Sequence, residues 1–507
     1  MYPDMRLCTV SRLFYVLVPL LLLAASATAA AMQPHETMTF NVEESSLKII
    51  VYSDGAVQPV YRLKASIMMP EDTGLTGELV GHYASSITWD NYESKLTLSG
   101  TLTSREAGAE PALIAVEFSG ETSSTHLSLT GYMKGVSTSG EGDIRIEKLD
   151  VRVSEDKKTA TVDAVVYLTP AEDFAGTDIP SPEEINAALQ SQGVTYIKIA
   201  RLVHSIEGDT ARIEIQAVID VEKTLEELSK GLSSEEAERL KQLAGEDIDV
   251  SGTFTFKLEL RTEENTLNLN LDYEQRLVGE VEKYIMFSKE MQILMYRALS
   301  QLSTMQPPAG MGMPPELQVL TMMRTALSAP GPEAMLVEKP PSDASAEVKI
   351  SIDSDRILIS VDYTGHRVAV AKPSGDPARD AEKALTILST MFANYRKLIL
   401  FLAGMMPGLE QFIPQMVELE PAEGVEVSEE NVALEQLPLV TVKVSGEETP
   451  PPQQPEETAP SPAPEQEQPT KPAEEIGEAN KTVYHVAAAI AAILVAIVAV
   501  VLVKRGS

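Results

Sequence analysis

Two stretches, Phe254-Thr255-Phe256-Lys257-Leu258-Glu259-Leu260 and Leu267-Asn268-Leu269-Asn270-Leu271-Asp272-Tyr273, alternate apolar and polar side chains without a break. A period of two puts every apolar residue on one face of a strand, so the pair reads as a hairpin with one buried side. The period then changes. Val281, Tyr284, Ile285, Met291, Met295, Ala298, Leu299 and Leu302 recur at helical spacing and make one apolar stripe. The same order is readable twice more. Ile197–Ile206 with Ala211–Ile219 precedes helical patterns at Val221–Lys230 and Ser234–Ala244, the second opened by the capping-box spacing of Ser233 and Glu236. Val348–Ile352 with Ile357–Tyr363 precedes a stripe that starts at Asp376-Pro377, a cap and a first-turn proline, and runs from Ala384 to Leu402. Hairpin-then-helix is common enough to recur without shared origin, and a duplicated module accounts for it equally well. Either origin predicts an α+β fold, an antiparallel sheet with helices on one face.

Upstream, from about Met38 to Leu168, strands follow one another as a meander. Ser46–Tyr52 and Ala56–Met68 flank Asp54-Gly55, a pair that predicts a tight two-residue turn. Leu96 and Leu98, then Leu127, Leu129, Gly131 and Met133, alternate with polar residues. Between Ile144 and Val153 the apolar phase slips at Glu147-Lys148, which predicts a bulge. This reading divides the body into a β-rich domain at 32–172 and an α+β domain of hairpin–helix units at 173–445.

The ends carry different signals. Leu13–Ala25, preceded by Arg6 and Arg12 and followed by small residues, has the layout of a secretory signal over 1–31. Val486–Val503, at ~1.5 Å per residue, reaches about 27 Å, near the thickness of a bilayer core. It predicts one transmembrane helix over 484–503, with the tail 504–507, bearing Lys504 and Arg505, on the cytoplasmic side. Between body and helix, 446–482 is rich in Pro and Glu and predicts a disordered stalk. Of 75 acidic and 41 basic residues the balance is −34, which excludes nucleic acid as a natural partner and favours solubility at an exposed surface. The one cysteine, Cys8, precedes the apolar part of the signal, so the mature protein is expected to be free of disulfides. In layout, though in no motif, the chain resembles archaeal surface proteins.

Candidate chemistry is sparse. Methionine is concentrated between residues 286 and 335. Met291 and Met295 lie on the helical stripe, and Met311-Gly312-Met313 stands in a Pro/Gly context. Core packing explains the first pair most simply. An apolar binding surface made with Met311 and Met313 is the alternative, and thioether ligation of Cu(I) a remote third. Leu398–Met406 is apolar on all sides and reads as a buried helix end. The acidic turns Asp353-Ser354-Asp355 and Glu246–Asp249 lack the twelve-residue calcium-loop pattern. His35, His82, His126, His204, His366 and His485 are far apart, and no P-loop, G-x-S-x-G or HExxH motif occurs. No catalytic set, cofactor or metal is therefore expected. Asn480-Lys481-Thr482 is the single glycosylation sequon. The expectation is a membrane-anchored extracellular protein with a structural or interaction role in the cell envelope, of the surface-layer spacing or anchoring kind. A tethered binder of a hydrophobic ligand or peptide is the rival, a surface hydrolase the third reading, and oligomeric state is left open.

Overall fold

The computed structural model describes residues 39–445, except 69–73, 106–111, 124, 136–141, 155, 157, 172–180, 192, 231, 247, 303–334 and 406–408. The predicted signal, stalk, transmembrane helix and tail lie outside the described residues. Among those described, no helix is long and apolar enough to cross a membrane.

The chain first lays down β1 (Thr39–Val51), β2 (Val57–Met68), β3 (Leu75–Ile87), β4 (Asn91–Ser104), β5 (Ala112–Ser123), β6 (His126–Lys134), β7 (Asp143–Val153) and β8 (Thr159–Thr169). Next come α1 (Pro182–Ser191), β9 (Ile197–Glu207), β10 (Thr210–Asp220), α2 (Val221–Ser229), α3 (Ser234–Gly245), β11 (Val250–Glu263), β12 (Thr266–Gly279) and α4 (Val281–Leu302). The last part supplies β13 (Leu336–Glu338), β14 (Ser342–Asp353), β15 (Arg356–Thr364), β16 (Val368–Val370) and α5 (Pro377–Met405). Four short strands close it: β17 (Met416–Pro421), β18 (Val425–Val427), β19 (Asn431–Ala433) and β20 (Val442–Val444). The fold is thus sheet-rich α+β and mostly antiparallel, as the periodicity predicts.

Strand pairing runs across residue 172. One sheet of 18 strands contains both halves. Its main run is β19-β17-β1-β2-β15-β14-β3-β4-β12-β11-β5-β6-β7-β8-β10-β9, with β13 and β16 branching from the β2 end. Every contact in this run is antiparallel except β1 with β17. The meander leaves gaps between β2 and β3 and between β4 and β5. Hairpins made some 150–270 residues later, β14/β15 and β11/β12, fill them, while β9/β10 adds beside β8. The chain runs out along the sheet and returns, inserting as it comes. Three four-strand groups share one plan, in which an early hairpin meets the second strand of a late hairpin: β1-β2-β15-β14, β3-β4-β12-β11 and β7-β8-β10-β9.

Residues paired across strands share a face. A single row crosses the sheet through Leu63, Val361, Val348, Gly81, Leu98, Leu271, Leu258, Val116, Met133, Ile144, Leu168, Ala211 and Ile206. Every member from β2 to β9 is apolar or glycine, so this face is hydrophobic along that run; the next partner, on β1, is Ser45. The other face carries cross-strand ion pairs such as Lys349–Glu78 at 2.7 Å, Lys257–Glu117 at 2.9 Å and Arg276–Glu93 at 3.2 Å.

Helices cover the apolar face in separate patches. Ala381, Ala384, Leu385 and Leu388 of α5 have no exposed surface and pack with Ile49, Leu63, Val361 and Val417 in the first cluster. Val281, Tyr284, Ile285 and Leu294 of α4, with Leu240 and Leu243 of α3, cover Ile87, Tyr92, Val250 and Leu277 in the second. Val221 of α2 and Ile185 of α1 join Val151, Val162, Ala217 and Ile219 in the third. Each buried Leu or Ile is worth roughly 1.5–3 kcal/mol of transfer free energy.

Local signals behave as their chemistry requires. Asp376 caps α5, accepting from the backbone N–H groups of Ala378 at 3.0 Å and Arg379 at 3.3 Å, and Ser233 with Glu236 forms the capping box of α3. The β7–β8 register shifts between Ile146 and Lys148, the bulge that the phase slip predicts. The β1–β2 connection differs in detail from its expected two-residue form. Tyr52 donates to the Ala56 carbonyl, so the loop is Ser53-Asp54-Gly55 and only Gly55 has positive φ. A Cβ on Gly55 would lie 2.9 Å from the Pro377 carbonyl oxygen, so the turn also seats α5.

Candidate interaction surface

Met291 is 5% exposed, held in the second cluster beside Phe287 and Leu294. Met295 lies in α4, but its side chain is outside the described ones, while Met311, Met313 and Asn480 lie outside the described residues altogether. α5 continues through Leu398 to Met405. The Asp353–Asp355 stretch is a hairpin turn, with Asp353 Oδ1 accepting from the Ser354 N–H at 3.0 Å. Among the described residues, no group of three His, Cys, Asp or Glu side chains is placed to hold a metal ion.

The fold does assemble polar clusters that sequence spacing conceals. His366 has no exposed surface. Its Nε2 lies 3.0 Å from Ser85 Oγ and its Nδ1 3.3 Å from Ser342 Oγ, and Ser342 Oγ also accepts the Arg367 N–H at 2.7 Å. This buried Ser–His–Ser contact ties β3 to β14 and the turn before β16. Lys289 of α4 forms a buried ion pair with Glu338 of β13 and donates to the Leu336 carbonyl at 3.1 Å, linking the second cluster to the first. At the β1–β2 turn, Asp54 receives Arg367 at 2.6 Å and Lys339 at 3.0 Å, and Arg367 lies 4.3 Å over the Tyr52 ring. Burial works against the Asp54 charge, but the hydrogen bond from Lys339 and the Arg367 charge prevail and hold its carboxyl below the ordinary value. On the polar face, Asp150 is 3% exposed and is met by His126 Nε2 at 2.6 Å, Arg152 at 2.7 Å and Lys148 at 3.2 Å. Burial pushes its carboxyl up, and the hydrogen bonds from Arg152, His126 and Lys148 outweigh that and lower it. These groups are consumed in holding strands together.

Among the described residues, two surfaces remain unconsumed. The first is the middle of the apolar face, where Leu96, Leu258, Leu260, Leu267, Leu269 and Leu271 on β4, β11 and β12 are only half-buried. The second is β9, the end strand of the run. Its first part is guarded: Asn186 of α1 receives the Ile199 N–H at 2.8 Å and donates to the Ile199 carbonyl at 2.9 Å, standing in for a neighbouring strand. A bulge then interrupts the register between Ile199 and Arg201. From Arg201 to Glu207 the edge has neither device. The β9–β10 turn is Gly208-Asp209, so Glu207 and Thr210 form its closing pair. Counting back by twos, Glu207, Ser205, Val203 and Arg201 bond to β10, whereas Leu202, His204 and Ile206 direct N–H and C=O outward. Nothing among the described residues pairs with them. His204, Val203 and Ile206 are exposed, the last two at 38% and 43%. The opposite end is different, since β19 has only three residues.

No protein-family model matches the chain, and no curated protein is similar to it.

Proposed function

We propose that this chain is a membrane-tethered extracellular protein whose folded body has a structural or interaction role in the cell envelope. The observation that supports it is the open β9 edge, an unguarded stretch of backbone donors and acceptors of the kind that recruits another chain. The anchor at 484–503 and the acidic stalk at 446–482 are the parts that would hold such a body at a distance from the membrane. Protease added to intact cells should release the body by cutting within 446–482. Protection until lysis would overturn the orientation. A photo-crosslinker at Ser205 should then capture envelope neighbours in intact cells, while one at Glu410, exposed beyond α5, should not. Equal yields at both positions would remove β9 from the role.

The half-buried leucines of β4, β11 and β12 favour a second reading, a tethered binder of an elongated hydrophobic ligand. A fluorescent fatty acid should bind the full chain, and Leu269→Asp should weaken uptake about tenfold without unfolding the body. Unchanged uptake in the variant would reject that strip as the site.

A further inference from the structure

We propose that the open edge of β9 pairs with β9 of a second copy of this chain, antiparallel about a twofold axis at His204, so that the two sheets become one. This deepens the envelope reading and rests on it for the use of β9, while naming the partner.

The protein's own architecture supplies the first argument. In each four-strand group the last strand is the first member of a late hairpin. In one group that strand is β14, which takes β3 as an antiparallel neighbour on its far side. In the next it is β11, which takes β5 in the same way. In the third it is β9, and among the described residues the position is vacant. The edge is therefore built to the pattern of strands that are paired twice.

Self-complementarity supplies the second. In a twofold antiparallel pair centred on His204, the residues facing each other have numbers that add to 408. The outward-directed residues then meet outward-directed residues, Leu202 against Ile206 of the copy and His204 against its own counterpart, and each such pair can exchange both backbone hydrogen bonds. On the polar face Val203 meets Ser205, and Arg201 meets Glu207, placing opposite charges across the seam. Glu207 has no ion pair among the described residues, and Arg201 reaches only Glu214 of its own sheet at 3.3 Å. Shape agrees as well. Ile199, where Asn186 blocks the edge, would face Asp209 of the copy, so the guard begins where the incoming strand has already turned away. A chain carrying a net charge of −34 resists unspecific self-association, and the basic Arg201 with Lys198 makes this edge an exception to the general repulsion.

The test uses the full chain in detergent, with Cys8→Ser to remove the one native thiol. Sedimentation should give a dimer. His204→Pro should give a monomer with an unchanged circular dichroism spectrum, because the N–H lost at 204 is not used by β10. Arg201→Glu should weaken association at least tenfold, and Arg201→Glu with Glu207→Arg should restore it, which only the proposed register does. Under mild oxidation His204→Cys should give a disulfide-linked dimer and Lys198→Cys should not. A monomer at all concentrations, or a dimer that persists in His204→Pro, overturns self-pairing. If Ser205 still captures a different envelope protein in cells under either of those outcomes, the envelope reading survives the loss of this one.

Discussion

The two ends of the sheet are made from the same four-strand plan and finished differently. Around β1, β2, β15 and β14, a long helix, two 3-10 turns and four short strands close both the apolar face and the margin, and nearly every inward side chain is out of water. Around β7, β8, β10 and β9, among the described residues, two short helices cover part of the face and a single asparagine guards part of the margin. Topology alone therefore does not decide whether an edge is open; what the chain adds after each hairpin does. The closed end follows the logic of a stable core, and the other end, among the described residues, retains backbone donors and acceptors without a strand partner.

The largest effect should come from the seam beside the closed end. Lys289→Met leaves Glu338 in the interior without its ammonium partner and should cost about 3–5 kcal/mol in denaturant unfolding, most of it recovered when Glu338→Leu is added. A loss under about 1 kcal/mol would mean that the pair does not join the clusters. Next, Leu388→Ala in α5 should cost about 2–5 kcal/mol, and Leu202→Ala on β9 less than about 1 kcal/mol. Similar losses at the two sites would erase the contrast between the ends.

Asp150 sharpens the comparison through pH, because it lies in the open group. Its carboxyl is held below the ordinary value in the folded state, so its stabilisation is present above the unfolded carboxylate pKa of ~4 and disappears as pH falls through the lowered folded value. Asp150→Asn should lose about 1–2 kcal/mol at neutral pH. The gap between variant and parent should close between roughly pH 5 and pH 2, and a constant gap would assign the effect to packing. The smallest change is expected at the β11–β12 turn, where Glu264 has a φ of 50°. Glu264→Gly should raise stability by about 0.5–1 kcal/mol, read as a small increase in Tm; a decrease would show that the side chain is needed there.

Hairpins, caps and the β7 bulge were legible because each is written in neighbouring residues: alternation in 254–273, Asp376 before Pro377, the slipped phase at Glu147-Lys148. The ten-residue α1 was legible in principle, since Ser181 and Glu184 have capping-box spacing and make those bonds, but its polar composition gives little periodicity. Interleaving was not legible. Alternation tells a strand which face is wet, not which distant hairpin will lie beside it, so 32–172 reads as self-sufficient when two of its gaps await residues 250–279 and 342–364. For the same reason His366, Ser85 and Ser342, or Lys289 and Glu338, carry no local mark. The β9 edge was half legible: Ile197–Ile206 reads as the first strand of a hairpin, and its vacancy depends on where every other strand has gone.

The out-and-back path also sets a timetable. A chain made from its N-terminus completes β7-β8-β10-β9 as soon as residue 220 has emerged, whereas β2 and β3 cannot be joined until β14 and β15 exist. The sheet should therefore zip from its open end toward its closed one, in the order in which the late hairpins β9/β10, β11/β12 and β14/β15 are made, with β1 and β2 secured last. Pulse-labelled hydrogen exchange on nascent chains would register this as protection of β8 and β10 before β1 and β2, and the reverse order would refute it. Until the final helix arrives, the earliest strands of this protein are the ones most in need of a chaperone.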